Sequence, residues 1–112
     1  MRNQLNLYEQ IKETMLLHSY GTELSTAQIR DEVARKYGTN KDSIIPTDYC
    51  YNRCNKGIDF NKQPHLFDYI KRGRFIYIGE NAVYNGYVIH CSKDSNKEQK
   101  IGIWEDGKLI IF

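Results

Sequence analysis

The hydrophobic period of this chain changes from helical to strand-like at Pro64, and that switch decides which architectures are open to it. Before Pro64, Leu5, Tyr8, Ile11 and Met15 recur at helical spacing with Leu7 and Leu16 beside them, and Ser19-Tyr20-Gly21 supplies a stop. Ala27, Ile29, Val33, Ala34 and Tyr37 lie on or near one face of a second helix, capped by Ser25 or Thr26 and closed by Gly38, where left-handed backbone is needed. After Pro64, Leu66-Phe67-Asp68-Tyr69-Ile70 and Arg74-Phe75-Ile76-Tyr77-Ile78 flank Lys71-Arg72-Gly73 as a hairpin. Two more strands are expected at 87–91 and 101–104, separated by a polar loop over 92–100, and Asp106-Gly107 turns the chain tightly into 108–112. Helices first and antiparallel strands after give the α+β class.

Between the second helix and Pro64 the reading turns on Pro46, which pushes Ile45 out of helical geometry and ends any turn begun at Asn40. A third helix of about eight residues is expected over 47–55, with Thr47 as its cap, Asp48 complementing the dipole and Asn55-Lys56-Gly57 as its stop. A start at Asn40 instead would rotate its side chains. Two helices joined tightly make a helix-turn-helix. The expectation is thus one domain over 1–112, a winged helix-turn-helix with three N-terminal helices, a β-hairpin wing and a C-terminal antiparallel β-hairpin.

At 112 residues and 13.2 kDa the chain suits one core, and its four Phe, nine Tyr and one Trp argue against disorder. The net charge of +2 says little about a polyanionic partner, but its distribution says more. From Tyr49 to Arg74 there are six basic and two acidic residues, a net +4, which leaves −2 for the remainder. Three cysteines, no apolar leader and no apolar run of membrane length point to a cytoplasmic protein with reduced thiols.

In the expected third helix, Asn52 and Arg53 are the residue types that pair two-pronged with adenine and guanine edges, and Tyr49 and Tyr51 suit phosphates or a base methyl. The plainer alternative packs Tyr49 and Cys50 inward and uses Asn52 and Asn55 as caps. Lys56, Lys62, Lys71, Arg72 and Arg74 suit phosphate contact, which demands charge and reach, against the alternative of solvated turn residues. Tyr69, Tyr77, Tyr84 and Tyr87 offer rings for stacking a flipped base, although tyrosines at alternate strand positions are commonly half-buried core. Cys50, Cys54 and Cys91 with His90 have poor spacing for zinc, so no metal or cofactor is expected. Cys50 or Cys91 with His65 or His90 could be paired as nucleophile and base, but no catalytic motif supports them, and no enzyme activity is expected.

The middle 40 residues resemble the small winged-helix-like DNA-binding domains fused to HNH-type and other restriction endonucleases. The matching residues are Asp48-Tyr49-Cys50-Tyr51-Asn52-Arg53, Arg72-Gly73-Arg74-Phe75 and Gly79-Glu80-Asn81 with Tyr84-Asn85-Gly86. The resemblance implies a DNA-binding specificity module of restriction-modification or phage defence, with the nuclease in a separate domain. The expected function is double-stranded DNA binding through helix 47–55 and the basic wing at 71–74. The rival is a small phage-type inhibitor or adaptor, of the anti-CRISPR kind, that binds a nuclease or other protein through the same scaffold. A homodimeric regulator is a third reading, and the apolar strand at 109–112 suits strand addition to a partner.

Overall fold

The computed structural model describes residues 5–54, 60, 63–91 and 98–112, with Cys91 described by its backbone alone. Helix α1, Leu7–Met15, starts in a capping box in which Asn6 and Glu9 satisfy each other's backbone N–H groups, and it buries Ile11, Thr14 and Met15. Strand β1, Glu23–Ser25, was not anticipated from the sequence, because three residues are too few to show a period of two. Ser25 then caps helix α2, Thr26–Tyr37, which Gly38 closes at φ 72°.

The third helix is absent, and with it the expected winged helix-turn-helix of three N-terminal helices. In its place stand two 3₁₀ turns, Lys41–Ser43 and Pro46–Tyr49, followed by extended chain at Cys50 and the short strand β2, Arg53–Cys54. The cause is burial on both sides. Tyr49 and Cys50 join a core with α1, α2 and the first sheet, whereas Tyr51 and Cys54 join a second core around Val88 and Trp104. Extended chain running between two cores sends neighbouring residues to opposite sides, as at Cys50 and Tyr51, which a helix with one buried face does not.

Strands β3, Phe67–Lys71, and β4, Arg74–Tyr77, form the hairpin in the position that the period of two indicated, and β1 adds antiparallel to β4. The order of this first sheet is β1-β4-β3. The second sheet has the order β2-β5-β6-β7, built from β2 with β5, Gly86–Cys91, β6, Glu98–Glu105, and β7, Lys108–Ile111. Strand β6 thus extends through part of the expected polar loop. Asp106 and Gly107, at φ 49° and 81°, make the left-handed pair of a tight hairpin turn between β6 and β7.

The extended segment 49–54 is the seam between the sheets. On one side Tyr51 N–H donates to the Phe67 carbonyl (2.8 Å) and Leu66 N–H to that of Tyr49 (2.7 Å). On the other, Ile89 N–H donates to the Asn52 carbonyl (3.0 Å), and β2 pairs in parallel with β5. The Asn52 side chain clips the seam to β3, its Nδ2 donating to the Tyr69 carbonyl at 2.9 Å and its Oδ1 accepting from Tyr69 N–H at 2.8 Å. Replacing Asn52 with Ala, or with Asp, which cannot donate, should therefore lower unfolding free energy in urea by about 2 kcal/mol. Unchanged stability in both variants would remove the clip from the account of the fold.

Candidate binding cleft

The structure gives most of the residues expected to read DNA a structural role. Tyr49 is buried with its ring centre 5.7 Å from that of Tyr8. Tyr51 is 2% exposed, and its hydroxyl donates to the Gly79 carbonyl (2.6 Å) while accepting from Ala82 N–H (3.1 Å). Asn52 is consumed by its clip to Tyr69. Arg53 lies 4.4 Å over the Tyr69 ring and donates to Glu98 Oε2 at 2.8 Å, and Arg74 pairs with Glu23 at 2.6 Å. Lys56 and Lys62 lie outside the described residues. Lys71 and Arg72 stand exposed at the hairpin end, as phosphate contact requires. A base-reading helix over 47–55 is therefore corrected to a buried seam.

Tyr51 instead forms one wall of a cleft of about 430 Å³ between the inner face of the second sheet and the chain on either side of β3 and β4. Trp104 and Leu109 come to it from β6 and β7, Gln63 and His65 from the approach to β3, and Glu80 and Asn81 from the link between the sheets. Its aromatic wall is ordered by hydrogen bonds as well as packing. Trp104 Nε1 donates to the Tyr51 carbonyl at 2.7 Å, and the two rings meet edge-on with centres 5.2 Å apart. Tyr84 stacks behind Tyr51 at 5.3 Å and donates to Asp68 Oδ1 at 2.8 Å. Burial, with that carboxylate next in effect, holds the Tyr84 hydroxyl protonated well beyond its ordinary range. Asn81 takes left-handed backbone at φ 56°, a conformation its short polar side chain tolerates.

Two charged features border the cleft. Glu80 binds the Tyr8 hydroxyl and pairs with Lys12 at 3.2 Å, tying the inter-sheet link to α1; the Tyr8 bond is the main cause that lowers its carboxyl below the usual range. His65 lies among Phe60, Tyr51 and Trp104, with ring centres at 4.4, 5.2 and 5.4 Å. Burial pushes its imidazole down to about 4, opposed by a hydrogen bond to the Cys50 backbone. Its Nδ1 is buried, with no hydrogen-bond partner among the described residues.

The Cys50 thiol is pushed well above its ordinary value, chiefly by burial, and this makes it a poor nucleophile. Cys50 and Cys54 form no disulfide among the described residues, and among those residues no three His, Cys, Asp or Glu side chains gather as a metal group. Among the described residues no helix is long and apolar enough to cross a membrane. Sequence reasoning placed Tyr84 as a stacking ring but missed Trp104, His65, Gln63 and Asn81 as neighbours. The available signals were a lone Trp in an alternating strand and a Gly79-Glu80-Asn81 segment between two strands.

The depressed His65 pKa has a sign. Below its ordinary value of 6.5 the unfolded chain takes up a proton that the folded chain refuses until about pH 4, so this contribution to stability is whole above pH 6.5 and is lost as pH falls toward 4. Between pH 7 and 5, above the main carboxylate range, the loss should be about 2 kcal/mol, and the His65→Phe variant should lack it. Parallel stability profiles for the two proteins over that window would contradict the buried, neutral ring.

No solved structure matches the chain. It is 46% identical over 103 residues to an uncharacterized protein, YnaC, of Bacillus subtilis (strain 168); the match covers 92% of this chain and 38% of that protein, so the chain spans well under half of its relative's length. The family model for a domain of unknown function, DUF7225, matches residues 6–111, and the chain that folds around this seam and cleft belongs to that family.

Proposed function

We propose that this domain is a nucleic-acid-binding module that takes one unstacked base of DNA into the cleft, with Lys71 and Arg72 on the backbone. The cleft carries this reading. Its volume of about 430 Å³ lies within the range of small-ligand sites, and the rings of Tyr51, His65 and Trp104 border it together with the amides of Gln63 and Asn81. Flat rings with a few amides suit a base that needs a stacking surface and hydrogen bonds along its edge. From His65 to Lys71 the chain runs six residues, largely along β3, so the hairpin cations lie at most about 20 Å from the cleft. A backbone of a few nucleotides spans that distance.

Extruding a base costs a few kcal/mol in a matched duplex and less at a mismatch or in a single strand, while stacking returns about 1–3 kcal/mol. Single-stranded or mismatched DNA is accordingly the better ligand. The greater length of the Bacillus relative suits a module that acts beside further domains. A buried, unbridged thiol at Cys50 favours the cytoplasm.

Trp104 is the one tryptophan and borders the cleft, so its emission reports on occupancy directly. Single strands should quench it and bind more tightly than matched duplex, and Arg72→Ala should weaken all DNA alike and flatten the salt slope by about one unit. Folded protein that shows neither quenching nor binding at low salt would overturn the reading. The second reading, a protein partner, is favoured by Leu16, Leu17 and Tyr20, which stand 60%, 75% and 70% exposed just after α1. Capture of a specific protein, lost in a Leu17→Lys variant and joined to no DNA binding, would establish it instead.

A further inference from the structure

We propose that β7 is a dimer edge: two copies of the chain pair their β7 strands antiparallel about a two-fold axis at Ile110, joining the two second sheets into one continuous sheet. This goes beyond the base-binding reading and does not depend on it. The outward groups of the strand carry it. Phe112 N–H donates to the Ile101 carbonyl at 3.0 Å, and β7 runs along β6 with Leu109 opposite Trp104 and Ile111 opposite Gly102. Antiparallel bonding alternates, so Lys108, Ile110 and Phe112 bond to β6, while Leu109 and Ile111 turn their N–H and C=O groups away from it. Among the described residues no hydrogen bond reaches those outward groups.

Such an edge is a template for another strand, and natural proteins blunt theirs. The other edges of the two described sheets are short or covered: β1 has three residues and runs straight into α2, β2 has two, and β3 is bonded to the seam. Strand β7 has neither proline nor bulge, and its one charge is Lys108. It fits a second copy of itself. With Ile110 opposite Ile110 of the second copy, Leu109 meets that copy's Ile111 and every outward group finds a partner, while Lys108 falls opposite Phe112, so that no like charges face each other and the ammonium meets an exposed ring. The neighbouring surface favours the same occupant. Tyr87, Ile103 and Ile110 lie side by side on the outer face, the Phe112 ring is 6.3 Å from that of Tyr87, and Tyr87, Ile110 and Phe112 stand 45%, 45% and 69% exposed. The axis joins two such apolar faces into one, the isologous contact of a two-fold dimer. On the inner face Ile111 of the second copy comes beside Leu109, which borders the cleft, so each copy adds to the other's cleft rim.

The test is the mass of the full chain in sedimentation equilibrium, beside variants of the edge. Wild type should sediment at close to twice 13.2 kDa. Ile110→Lys sets two ammonium groups against each other at the axis but changes only an exposed side chain, so it should keep its far-UV circular dichroism and sediment as a single chain. Opposed residues in this kind of pair lie about 4.5 Å apart between Cα atoms, within disulfide range, so oxidised Ile110→Cys should cross-link into a dimer. Ile111→Cys, whose two copies lie on opposite sides of the axis, should cross-link no more than wild type. A single-chain mass for wild type would overturn the pairing and leave the edge to a strand of another protein. A dimer that Ile110→Lys leaves whole would move the interface off β7, and equal cross-linking at 110 and 111 would overturn the register.

Discussion

The backbone pairing of residues 49–54 with β3 on one side and β5 on the other holds this molecule together. Without it there are two separate sheets, one under α1 and α2 and one with its inner face open. Four of the six seam residues are buried, namely Tyr49, Cys50, Tyr51 and Cys54, and they divide between the two cores. Burial of that much apolar and aromatic surface, several times 1.5–3 kcal/mol, outweighs the helix capping offered by Thr47 and Asp48, which is worth about 1 kcal/mol. The Asn52 clip and the stacking of Arg53 on Tyr69 then fix the register of an element that has only two residues of regular strand.

The cleft follows from the seam. Tyr51 points toward the second core, and both its carbonyl and its hydroxyl bind chain far away in sequence: Trp104 in β6, and Gly79 and Ala82 in the link between the sheets. One residue, through its backbone and its side chain, therefore sets three walls of the cleft relative to each other. Glu80 ties that inter-sheet link to α1 through Tyr8 and Lys12, so the first core and the cleft rim share an anchor.

The parts of this fold legible in the sequence are those whose signals are local. Helix α2 announced itself by a cap, an apolar face and Gly38, and the β3–β4 hairpin by alternation about Arg72-Gly73. Asp106-Gly107 marked the last turn. The 47–55 segment misled because its cap, dipole and stop signals are also local, whereas the forces that extend it come from Phe67, Tyr69 and Ile89, far along the chain. The cleft was illegible for the same reason. Its residues come from four separate stretches, around 51, 63–65, 80–82 and 104–109, and no spacing rule connects them. The ion pairs of Arg53 with Glu98 and of Arg74 with Glu23 were illegible too, since the partners are 45 and 51 residues distant.

A residue that both closes the seam and walls the cleft couples binding to folding. Any ligand that occupies the cleft holds Tyr51, His65 and Trp104 in their native arrangement and so stabilises the contact between the sheets, by an amount set by its concentration relative to its dissociation constant. The walls resist adjustment, since their hydroxyl and indole groups are already hydrogen-bonded and their rings are packed on one another. Such a site selects by shape and by the few polar groups left uncommitted, and it loses little conformational entropy on binding. The fixed positive charge sits elsewhere, on a hairpin end that no core residue constrains. The cleft and the exposed cations are thereby held by separate parts of the fold.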